Sequence, residues 1–254
     1  MVPLFYQVMM IALMAMANSI KQLSLNVHLD DDATFRNYFV QEGSGNALAL
    51  QAVSDLLEEK PAEPFIYLWG QEGVGVSHLL QAACHAAGRK NFRSQYLPLE
   101  ELAGFAAEQL FEGLEHLDLV CLDGLQHVMG QPGWDVAMFH FYNRLRDNKH
   151  SRLLVSADCA PRDLSSRLPD LVSRMGWGVA YHLLPLDDQQ KLQALQGRAR
   201  SRGIEMGDEV LQYILSHASR DMAGLIECLD RIDGASLAEK RRVTIPFLKE
   251  IFGW

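Results

Sequence analysis

An α/β domain built on a parallel sheet, followed by a small all-helical domain, is the fold this sequence predicts. Three observations predict it. Short apolar runs alternate with helical stretches between residues 31 and 184, the pattern of strands joined by crossover helices. A glycine-rich turn, Gly70 to Gly75, joins the first apolar run to the helix after it. Beyond Pro185 the strand signals stop and four helical stretches follow. Residues 31–185 are therefore expected to form the α/β domain and 186–254 the helical one.

Each element has a local reason. Ser44 is placed to cap a helix through Lys60, with Leu48, Leu50, Val53, Leu56 and Leu57 at apolar positions. Phe65-Ile66-Tyr67-Leu68-Trp69 reads as a buried strand, and a helix from Ser77 to about Ala87 follows its glycine turn. Tyr96-Leu97 centres a second strand, with a helix expected over Glu100 to Phe111. Leu117 to Leu122 is a third strand, Trp134 to Arg146 a helix, Arg152 to Ala157 a fourth strand and Gly178 to Leu184 a fifth. In the second domain, helices are expected over Asp187–Arg202, Asp208–His217, Arg220–Leu237 and Ile245–Phe252. Asp187 or Asp188 caps the first and Gly203 ends it.

Composition narrows the function. The chain has 254 residues, long enough to bury a core without staples. Lys plus Arg is 23 and Asp plus Glu is 32, a net charge of −9, which argues against coating nucleic acid through a bulk basic surface. The four cysteines (Cys84, Cys121, Cys159, Cys228) form no C-x-x-C pair, so neither a disulfide framework nor a cysteine zinc site is expected, and a reducing cytoplasm fits. The nine histidines include no H-E-x-x-H, which excludes a zincin. Residues 1–20 stand apart: Val2 to Ile20 is apolar and uncharged. A signal peptide lacks its basic n-region here, and a membrane span is weakened by Gln7, Asn18 and Ser19. A start assigned too early, with Met16 or a nearby methionine as the real beginning, is the reading preferred. No membrane association is expected.

The chemistry concentrates in Gly70-Gln71-Glu72-Gly73-Val74-Gly75-Val76-Ser77-His78. Glycines let the backbone wrap an anion, the helix start supplies free N–H donors, and Ser77 is placed to reach a Mg²⁺ ion. The pattern G-x-x-x-x-G-K-[ST] is matched except at its lysine, which is Val76. That lysine normally neutralises the outer phosphates. A glycine turn without a ligand is the plainer alternative. Asp123 ends an apolar strand, where an acid holds Mg²⁺ through water, and Gly124 stands where many ATPases carry a second acid.

With these motifs in order, the sequence resembles the AAA+ proteins, and within them the DnaA/Hda family, from about Gln22 to its end. Thr34-Phe35-Arg36-Asn37-Tyr38-Phe39-Val40 resembles the family's T-F-x-N-F segment, and Leu153 to Asp158, with Ser156, its first-sensor strand. Leu168-Pro169-Asp170-Leu171-Val172-Ser173-Arg174 resembles the box carrying an arginine finger, and Arg220 sits where a second-sensor arginine is placed. The resemblance implies a five-stranded parallel sheet with a helical lid. It also implies a nucleotide, ADP or another nucleoside diphosphate with Mg²⁺, held by Phe35, Tyr38, residues 70–78, Asp123, Ser156 and Arg220. Singly, Phe35 and Phe39 read as core aromatics, Arg174 as a surface arginine, Arg220 as a carboxylate partner and Ser156 as a turn cap.

Residues 21–30 carry a further motif. Gln22-Leu23-Ser24-Leu25-Asn26-Val27 fits Q-L-x-L-x-apolar and resembles the hexapeptide that docks on the DNA polymerase III β sliding clamp. Alternating side chains of an extended peptide fill a groove while the glutamine amide makes polar contacts. A first strand or a linker is the alternative. The expected branch is the smaller one, without a terminal DNA-binding domain: a cytoplasmic, replisome-associated negative regulator that docks on the clamp through Gln22, Leu23, Leu25 and Val27. Arg174 would stimulate hydrolysis of DnaA-bound ATP in trans, with DNA met mainly through the clamp. Val76 and Gly124 suit a protein that need not hydrolyse anything itself. The second reading is a stand-alone AAA+ ATPase of clamp-loader or helicase-loader type, and the third a scaffold that binds no nucleotide. Homo-oligomerisation stays open.

Overall fold

The computed structural model describes residue 29 and residues 33–131, 133–148 and 150–254. The leader and the hexapeptide residues Gln22, Leu23, Leu25 and Val27 lie outside the described residues. The chain alternates as expected: α1 (Gly45–Asp55), β1 (Phe65–Trp69), α2 (Val76–Arg89), β2 (Ser94–Pro98), α3 (Leu99–Leu102), α4 (Ala107–Leu110), β3 (Leu119–Asp123), α5 (Trp134–Asp147), β4 (Arg152–Ala157), α6 (Pro169–Met175) and β5 (Val179–His182). The five strands form one parallel sheet in the order β2-β3-β4-β1-β5.

A parallel sheet is buried on both faces, and each face has its own apolar layer. On one side Phe111 stacks on Phe141, with centroids 4.7 Å apart, and Trp134 meets Phe111 edge-on. On the other, Leu79, Leu80 and Ala83 of α2 and Ala49 and Val53 of α1 pack with Ile66, Leu68 and Leu154 of the sheet. Ser44 caps α1 as expected, its hydroxyl accepting from Ala47 N–H at 3.1 Å. The helix expected over Glu100 to Phe111 is instead two single turns, α3 and α4. Gly104 lies in the break, where a helix interior pays about 1 kcal/mol for glycine over alanine, and Leu99, Leu102, Ala107, Leu110 and Phe111 stay buried without a continuous helix.

Four more helices follow: α7 (Asp188–Ser201), α8 (Asp208–His217), α9 (Met222–Glu239) and α10 (Ile245–Phe252). They share a core of Leu195, Leu211, Ile214, Leu225, Leu229, Ile232 and Leu248. Asp187 and Gln190 form a reciprocal capping box at the start of α7, and Asp221 caps α9 by accepting from Gly224 N–H at 2.7 Å. Among the described residues no helix is long and apolar enough to cross a membrane.

Candidate nucleotide site

The carboxyl ends of β1, β3 and β4 converge below the helical lid, and the groups they deliver face one cleft of about 1430 Å³. The loop after β1 turns through Gly73 at φ +82° and Gly75 at φ +93°. Gly75 sits directly before α2, so the first helical amides of Val76, Ser77 and His78 have no helical carbonyl to bond. Tyr38 closes over this turn: its hydroxyl donates to Val74 O at 3.5 Å, and a Cβ on Gly75 would lie 2.8 Å from its ring. Burial pushes the Tyr38 phenol well above its ordinary range. His78 Nε2 lies 3.0 Å from Thr34 O, tying the segment before α1 to the loop.

Gly70 is required at the start of the loop. A Cβ there would lie 2.7 Å from the backbone oxygen of Leu183. Gly70→Ala is expected to push the loop off Leu183, just past β5, and to cost about 1–3 kcal/mol, as overpacking in a tight interior does. Urea denaturation reads the loss of stability; an unchanged midpoint would show that the backbone at Leu183 yields without cost.

Asp123 is held from two sides. The register sets Leu122 beside Val155, so Ser156 stands next to Asp123 and donates to Oδ1. Ser156 Oγ in turn accepts from Gly124 N–H at 2.7 Å. The Tyr96 hydroxyl donates to Asp123 Oδ2 at 2.5 Å. Burial first, then the Asp123 charge, pushes the Tyr96 phenol well above its ordinary range, so it remains the donor. Gly124 has φ +83°, and a Cβ there would lie 2.8 Å from the His127 ring. A second acid at this position would meet both obstacles.

Tyr38, Gly70, Gly73, Val74, Gly75, Val76, Ser77, His78, Asp123, Ser156 and Arg220 all line the cleft. Phe35 does not; it packs against the α1–α2 core layer. Arg220 is exposed, and its neighbour Asp221 faces Gly73, where an added Cβ would come within 3.3 Å. The Ser219 hydroxyl and Gly224 amide hold the Asp221 carboxyl below the usual carboxylate range. Sequence reasoning missed Asn37, Tyr96, Lys191 and Arg198, which also line the cleft. The Asp187 cap was the available signal: it phases α7 so that Lys191, Ala194 and Arg198 share one face. Glu72, Glu100, Glu101, Asp123, Asp158, Asp221, Glu227 and Asp230 line the cleft against only Lys191, Arg198 and Arg220. The cleft therefore offers backbone N–H groups at the start of α2 more than net positive charge.

Arg174 is outside this cleft. It sits near the end of α6, half-buried, donating through Nη1 to Asn143 Oδ1. Its guanidinium lies 4.3 Å from the centroid of Phe139 and 5.5 Å from that of Trp177.

The bacterial DnaA ATPase domain model matches residues 29–182, and the Hda lid domain model matches residues 188–252. Domain III of the Thermotoga maritima replication initiation protein DnaA superposes with a TM-score of 0.74 at 21% identity, covering 89% of this chain and 98% of that one. AMPPCP-bound DnaA from Aquifex aeolicus gives 0.66 at 27% identity, covering 80% of this chain and 67% of that one. The Thermotoga maritima RuvB branch-migration motor gives 0.64 at 13% identity, covering 87% and 73%, a likeness of fold alone. A P-loop sheet, a helical lid closing over its cleft, and matches along both parts make this chain a member of the DnaA/Hda family of AAA+ proteins.

Proposed function

We propose that this protein is a nucleotide-holding, non-hydrolysing regulator of replication initiation. It docks on the sliding clamp through residues 21–30 and stimulates hydrolysis of DnaA-bound ATP through Arg174. One observation carries the reading: a glycine loop opening onto free helix-start amides, with Val76 at the lysine position and Gly124, held at φ +83°, at the second-acid position. Such a site retains a nucleoside diphosphate on backbone donors and the lid, and lacks groups that speed cleavage. The AMPPCP carried by the Aquifex relative supports a nucleotide in the corresponding cleft. Ser77 and Asp123 offer the hard oxygen donors that Mg²⁺ takes, and they would hold it when nucleotide is bound. Placement of Arg174 outside the chain's own cleft supports action in trans.

The test is hydrolysis of DnaA-bound ATP with this protein, loaded clamp and DNA present, each omitted in turn. Stimulation that needs all three is expected. Turnover by this chain alone would favour the stand-alone ATPase instead. A second measurement checks the loop. Val76→Lys is expected to tighten ATP binding roughly 10–100-fold, the worth of one charge-assisted contact, without starting hydrolysis, because Gly124 remains. Fluorescent-nucleotide titration showing no gain would mean that the outer phosphates do not lie beside residue 76.

A further inference from the structure

The chain carries an aromatic–cation face on the opposite side of α5 from its core. Trp177 is 56% exposed, an unusual setting for the largest side chain. Its exposure is built into the backbone. A Cβ on the next residue, Gly178, would lie 2.6 Å from Phe65 O, so only glycine lets the chain hug Phe65, while Trp177 itself stays outside. The indole is flanked by two guanidiniums, Arg146 at 5.6 Å and Arg174 at 5.5 Å from the ring centroid. Tyr142 meets it edge-on at 6.4 Å. Val136, His140 and Arg146 are exposed on the same helix, and Val136 is 44% exposed. Among the described residues neither Arg146 nor Arg174 has a carboxylate within ion-pair distance.

We infer that Trp177 and Arg146 anchor the ATP-bearing partner, so that Arg174 arrives at its phosphates already oriented. This rests on the function proposed above. Two unneutralised guanidiniums on a chain of net charge −9 suit an anionic surface, and the rim of an ATP-loaded cleft is anionic by its phosphates alone. This chain's own cleft is lined by eight carboxylates, the kind of acidic rim that two guanidiniums would meet. A preordered tryptophan beside arginines is the composition in which interface energy concentrates. The division of labour is specific: Trp177 and Arg146 set how tightly the partner is held, and Arg174 sets how fast its ATP is cleaved.

The experiment titrates full-length DnaA–ATP against this protein with loaded clamp, and reads both the half-saturating concentration and the plateau rate. Trp177→Ala is expected to raise the half-saturating concentration about 10–30-fold, and Arg146→Ala about 3–10-fold, the range of hot-spot and charge truncations. Trp177→Phe should recover most of the loss. Arg174→Ala should lower the plateau instead. ADP-induced thermal stabilisation of each variant, equal to that of wild type, checks that the fold and cleft survive. Wild-type stimulation with Trp177→Ala matching it in both parameters would overturn the anchor and leave the proposed function standing. A wild type that stimulates nothing would overturn both. A Trp177→Ala variant that changes only self-association in sedimentation would assign the face to a second copy of this chain, and would also overturn the anchor.

Discussion

Arg174→Ala is expected to abolish most stimulation of DnaA–ATP hydrolysis while the protein still folds and binds ADP. A finger arginine that stabilises charge developing on the transferred phosphoryl group is worth ~10³–10⁵ in rate, so the plateau should fall by up to that factor. The structure raises the stability cost above that of a plain surface substitution. Arg174 is half-buried, bonded to Asn143 and laid over Phe139, so truncation should cost about 1–2 kcal/mol. That loss is small against a typical stability of about 5–15 kcal/mol, so the native state persists. Arg174→Lys should fail nearly as badly in the hydrolysis assay, because a point-charge ammonium cannot reproduce the planar fork. An Arg174→Ala protein that unfolds would make Arg174 a structural residue. One that folds and stimulates fully would place the finger elsewhere, with Arg167 the next position to change.

The second large effect is expected at the other end of the chain. Gln22→Ala combined with Leu25→Ala should abolish clamp pull-down and, with it, clamp-dependent stimulation. In the proposed docking the glutamine amide and the leucine side chain would supply the polar and apolar anchors, and a short motif has few other contacts to fall back on. The double variant should melt as wild type does, because a docking peptide spends its side chains on the partner's groove. Clamp capture that survives the substitutions would move the docking site out of residues 21–30.

Much of this molecule could be read along the chain. The apolar runs at 65–69 and 152–157 are strands at those bounds, because a strand buried on both faces needs an unbroken apolar run. The loop from Gly70 to Ser77 declared its place by standing between such a run and a helix. Ser44 and Asp187 announced helix starts, because a cap is a local hydrogen bond between residues three apart. The single helix expected over Glu100–Phe111 failed where burial of separate turns outweighed continuity around Gly104.

What sequence order alone determined, then, is the alternation of elements, the glycine loop, and the departures from the phosphate-loop pattern at Val76 and Gly124. Tertiary structure alone decided the rest. Tyr96 comes to hold Asp123 from 27 residues away, Lys191 and Arg198 join the cleft from the lid, and Phe35 leaves it for the core. Trp177 lies outside because Gly178 must pass against Phe65, a contact 113 residues distant. The physical reason is the range of the forces involved. Caps, turns and periodicity act between neighbours in sequence. Register, close approach and shared burial act between neighbours in space, and the sheet order that makes those neighbours is set only when β1 inserts between β4 and β5.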